Sequence, residues 1–82
     1  ITFHTKMLDL AKLAIHEIPS QDRELGGVTV ALSQKNFEEA RNLVKEFKAK
    51  ILELAENDKN KKDIYQVGFQ LFPITRGLDD DK

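Results

Sequence analysis

His4 and His16 are the side chains of this 82-residue sequence best suited to holding a metal or moving a proton near neutral pH. Both fall in one stretch of helical pattern, about 120° apart around the axis and ~18 Å apart along it. They cannot share an ion. Neither has a second histidine at i+3 or i+4, and the chain has no cysteine, so no metal site and no disulfide is expected. The carboxylates form no acid–base pair: Asp9 and Glu17 have the spacing of an exposed helix face. Glu38, Glu39, Glu46, Glu53 and Glu56 fall away from the apolar seam of a second helix. Asp79, Asp80 and Asp81 offer oxygens to a cation, but consecutive aspartates also serve simply as solvated charge. No serine stands in a nucleophile elbow, and no lysine has neighbours that would activate it. The sequence therefore reads as non-catalytic, with no cofactor.

Two glycine positions and one basic cluster remain. Gly26-Gly27 precedes an extended run instead of linking a strand to a helix, so it is an entry or bulge and not a phosphate loop. Gly68 lies inside a second such run, where a glycine marks either a bulge or the close approach of another backbone. From Gln34 to Lys62 there are eight basic and six acidic residues. That surplus is small for phosphate-driven binding, and its two aromatic residues, Phe37 and Phe47, belong to the apolar seam of the helix. Lys59, Lys61 and Lys62 read as a solvated turn.

The elements that would position these groups follow from periodicity. Between Thr2 and Ile18, Phe3–Met7–Leu10–Ala14 and Leu8–Ala11–Ile15–Ile18 recur at helical steps, and Pro19 ends the helix. Ser20–Glu24 is a polar loop. Val28–Leu32 alternates with β-branched residues and predicts a strand. Ser33 then caps a helix over Gln34–Glu56, with Leu32 and Phe37 at hydrophobic-staple positions. Phe37, Ala40, Val44, Phe47, Ile51 and Leu54 alternate steps of three and four, the seam of either a coiled coil or a helix lying on a sheet. Glu46 and Lys50 are spaced as a favourable i, i+4 pair. After a polar turn at Asn57–Asp63, Tyr65, Val67, Phe69 and Leu71 make one face of a predicted strand over Ile64–Ile74.

The expected fold class is thus α+β, in the order helix, strand, long helix, strand. Residues 1–75 form a single domain and residues 76–82 a flexible acidic tail. Ile1 in place of methionine predicts a piece of a longer protein. Two strands are too few to stand alone, so the sheet is expected to be completed by a second copy, a homodimer. The expected assembly surface is Tyr65, Val67, Phe69, Leu71 and Phe72, supported by Val28 and Val30. No apolar run is long enough to span a membrane, and a formal charge of −1 exerts no pull on anionic lipid. With no secretory pattern, a cytoplasmic location is expected.

Three segments carry a resemblance: residues 3–15 (FHTKMLDLAKLAI), residues 26–56 (GGVTVALSQKNFEEARNLVKEFKAKILELAE) and residues 63–75 (DIYQVGFQLFPIT). The phrase Tyr65-Gln66 followed by Gln70-Leu71-Phe72-Pro73 is the most family-like. Together they resemble the C-terminal domain of unknown function of a large paralogous bacterial family, prominent in some cellulose-degrading and predatory bacteria. The resemblance implies a transcriptional regulator with a helix-turn-helix upstream, so that DNA is contacted only through a region absent from this chain. It supplies no catalytic residues and no ligand. The function expected is a non-catalytic regulatory and dimerisation domain. The competing reading is a small-molecule sensor with a pocket between sheet and helices.

Overall fold

In the computed structural model, which describes residues 2–77, the chain is helical. Helix α1 spans Thr2–Glu17, a short 3-10 turn spans Ser20–Asp22, and helix α2 spans Gln34–Glu56. Among the described residues there is no β-strand and no sheet, which overturns the expected α+β class and its helix–strand–helix–strand order. The physical reason lies in what defines a strand. Alternation in residues 28–32 and 64–74 keeps each segment extended, but a strand also requires a second backbone to pair with. No backbone–backbone hydrogen bond forms within residues 24–32 or 61–72, so both segments are unpaired ribbons.

Each helix is built by its own local chemistry. The α1 stripe ends where Pro19 forbids further helix; the Ile18 N–H still bonds back to the Ala14 carbonyl at 3.1 Å. Arg23 then folds back and its Nε donates to the Ile18 carbonyl at 2.9 Å. A guanidinium at this end satisfies an orphan acceptor and complements the negative pole of the helix. The polar loop expected at Ser20–Glu24 is therefore a structured stop, with the Asp22 N–H bonded to the Pro19 carbonyl at 2.9 Å.

Helix α2 starts as the sequence predicts. Ser33 is extended (φ −72°, ψ 166°), and its hydroxyl accepts from the Asn36 N–H at 3.1 Å. The helix runs 23 residues, ~35 Å at 1.5 Å per residue. At its end the Asn57 N–H bonds to the Glu53 carbonyl at 3.1 Å, and the Asp58 N–H to the Ala55 carbonyl at 3.2 Å. Asp58 closes the following turn: its Oδ1 accepts from the Asn60 N–H at 2.8 Å, and its carbonyl accepts from Lys61 Nζ at 2.7 Å. The surface ion pair forms at Glu38–Arg41, 3.3 Å, and not at the expected Glu46–Lys50. Two flexible side chains on an open helix gain little by holding one geometry, so spacing alone does not select the pair.

Packing between elements is sparse. Helices α1 and α2 do not touch, and no described side chain is buried. The Cα radius of gyration is 15.6 Å, whereas a compact chain of this length has ~12 Å. The accessible surface is 8272 Å², against about 5,000 Å² for a closed 9.4 kDa monomer. No helix among the described residues is long and apolar enough to cross a membrane. The acidic run Asp79–Asp81 lies outside the described residues, as does most of the tail expected at 76–82.

At Gly68 the sequence admits either a bulge or the close approach of another backbone. A Cβ built there meets only the Gln70 side-chain nitrogen, at 3.7 Å, so no other backbone approaches it within the chain. Gly68→Ala should leave the urea midpoint unchanged or raise stability by about 0.4–1 kcal/mol through the unfolded chain. A clear loss of stability would show a neighbour that a single copy lacks. Ser33→Ala should cost about 1 kcal/mol, read by urea unfolding with far-UV circular dichroism, while Ser33→Asp should retain the wild-type midpoint.

Candidate interaction surface

The α2 seam is where the structure brings predicted residues together. Phe37, Ala40, Val44 and Ile51 are half-buried, whereas Phe47 and Leu54 remain exposed, Leu54 by 71 %. Phe37 and Val44 share a groove with two residues of the 64–74 ribbon. Phe69 and Leu71, 45 % and 39 % exposed, line a shallow open groove of about 290 Å³ with Phe37, Arg41, Val44 and Lys45. Their spacing of two puts both side chains on the same side of an extended backbone. Of the face read from the alternation, Tyr65, Val67, Phe69 and Leu71, the last two line this groove.

The other expected surface residues are placed differently. Val28 (87 % exposed) and Val30 stand on the ribbon between the helices, and Tyr65 is 74 % exposed. Val67 and Phe72 are exposed as well, and neither lines the groove. Two of the expected seven thus share a site, and the remaining five present apolar surface to solvent.

Arg41 and Lys45 form the rim of the groove, and the sequence reading assigned them no part in it. The Arg41 guanidinium bonds to Glu38 at 3.3 Å and lies 6.0 Å from the centroid of the Phe37 ring, the outer range of a cation–π contact. Lys45 has no ion-pair partner among the described residues. The available signal was positional: Arg41 follows Phe37 by four residues and Lys45 follows Val44 directly, which sets both cations beside the seam.

A second groove lies on α1. Leu10, Leu13, Ala14 and Ile18 form an apolar patch with Glu17 at its edge. Glu17 likewise has no ion-pair partner among the described residues. The two grooves are alike in their apolar floors and opposite in rim charge. Neither is enclosed, and neither carries a converging set of titratable groups. His4 packs edge-on against Phe3, with centroids 5.6 Å apart at 73°. Among the described residues no three of His, Asp and Glu gather in a way that could hold a metal ion.

Comparison with known proteins bears on the chain as a whole. No curated protein and no solved structure matches it. A family profile described as "Domain of unknown function (DUF4423)" matches residues 2–74, which covers both helices, both ribbons and both grooves. The chain belongs to this family, a domain of unknown function.

Proposed function

We propose that this chain is a non-catalytic assembly domain that homodimerises within a bacterial transcriptional regulator. The observation that carries the reading is the absence of any buried side chain among the described residues, in a chain that is 40 % hydrophobic. A chain with this much apolar surface gains stability by removing it from water, at roughly 25 cal/mol per Å². A single copy does little of that. Its surface exceeds that of a closed monomer by about 3,300 Å². An obligate dimer interface hides about 2,000–5,000 Å² over both partners, so the surplus is ample for one.

The regulatory part rests on the resemblance of residues 3–15, 26–56 and 63–75 to a C-terminal regulator domain. On this reading a DNA-reading helix-turn-helix lies upstream, in the cytoplasm, and this domain sets the spacing of two such units. The near-neutral charge supports a division of labour, because the domain itself has little excess positive charge for phosphate. The sensor alternative has less support: the best-formed grooves are open, whereas small-molecule sites enclose most of their ligand.

Light scattering on the size-exclusion peak tests the assembly. At about 50 µM the expected mass is twice the 9.4 kDa of the chain, with dissociation on dilution. A 9.4 kDa species that persists at several hundred micromolar would overturn the proposal.

A further inference from the structure

The two grooves described above are complementary, and within one chain they do not meet. We infer that the α1 groove of one copy seats on the α2 groove of a second copy, and reciprocally, with Glu17 set against Lys45. This inference rests on the dimer reading and names the surface through which that dimer forms.

Rim charge is the first argument. Leu10, Leu13, Ala14 and Ile18 are edged by the carboxylate of Glu17. Phe37, Val44, Phe69 and Leu71 are edged by the cations of Arg41 and Lys45. Arg41 is already engaged by Glu38 at 3.3 Å, whereas Lys45 and Glu17 are opposite charges with no ion-pair partner among the described residues. Pairing the two patches covers both apolar floors and joins both charges. Pairing either patch with its own copy would set like charges together, a costly arrangement at an interface.

The chain path is the second argument. Residues 24–33 run extended between the 3-10 turn and α2, and ten extended residues reach about 33 Å. This ribbon holds α1 clear of its own α2. A two-fold axis resolves the geometry: the same α1-to-α2 contact is made twice, and the dimer closes with no groove left over. An extended hinge that delivers one element to a neighbour is the arrangement of a swapped dimer.

Charge exchange tests this directly, because Glu17 and Lys45 are both exposed and neither substitution disturbs helix formation. Glu17→Lys and Lys45→Glu, each alone, should weaken self-association by about five- to tenfold in sedimentation equilibrium, since each places two like pairs in the dimer. A one-to-one mixture of the two variants should recover the wild-type dissociation constant within about twofold, as should the chain carrying both substitutions. Mixing Lys45→Glu with the decoy Glu53→Lys, altered on the polar face of α2, should recover nothing.

Four results would overturn the inference. If both single variants associate as tightly as wild type, the dimer stands but uses another face. Rescue in the doubly substituted chain without rescue in the mixture would place the contact within one chain. Equal rescue by the decoy would mean that bulk charge governs association. A wild-type chain that remains monomeric would remove the dimer reading itself, and the inference with it.

Discussion

Apolar surface with nothing to cover it is the constraint on which every other feature of this structure depends. Ordering a residue costs about 1–2 kcal/mol of backbone entropy, and burial of side chains is what ordinarily offsets it. Here the helices are ordered while their apolar stripes stay open or half-covered. The closest approach to a core is the line of Phe37, Val44, Phe69 and Leu71, where two residues of a ribbon share a groove with a helix. That line is too shallow to hide any one of these side chains.

Local chemistry explains why ordered elements exist at all under this constraint. The Ser33 hydroxyl on the Asn36 N–H and the Asp58 turn after Asn57 bracket α2 from both ends. Arg23 on the Ile18 carbonyl and Pro19 close α1 at its C-terminal end. These contacts span two to five residues, so they form without any tertiary neighbour. What they do not do is bring α1 to α2, which make no contact.

The ribbons follow from the same logic. β-Branched and alternating residues favour an extended backbone, and both segments are extended. The free energy of a sheet, however, lies in cross-strand pairs and ladder hydrogen bonds, which are properties of two segments together. Two residues of the 64–74 ribbon, Phe69 and Leu71, line a groove with α2 instead. A helix face accepts Phe69 and Leu71 as readily as a sheet neighbour would, since dispersion and apolar burial have no directional demand.

Much of the fold was legible in the residues, and for an identifiable reason. The two helices, the Ser33 cap, the stop at Pro19 and the shared face of Phe69 and Leu71 depend on neighbours within a few positions, and so does periodicity. What the sequence left open were the relations between distant segments. Whether residues 28–32 and 64–74 pair, whether Arg41 joins Glu38, and which cations border the α2 groove each require coordinates, because spacing along the chain carries no information about distance across it. Sequence by itself determined the two helices, the Ser33 cap and the stop at Pro19, while its two expected strands did not form. Only the tertiary structure decided that the apolar faces meet a ribbon or open solvent, since contact free energy belongs to surfaces brought together and not to the residues singly.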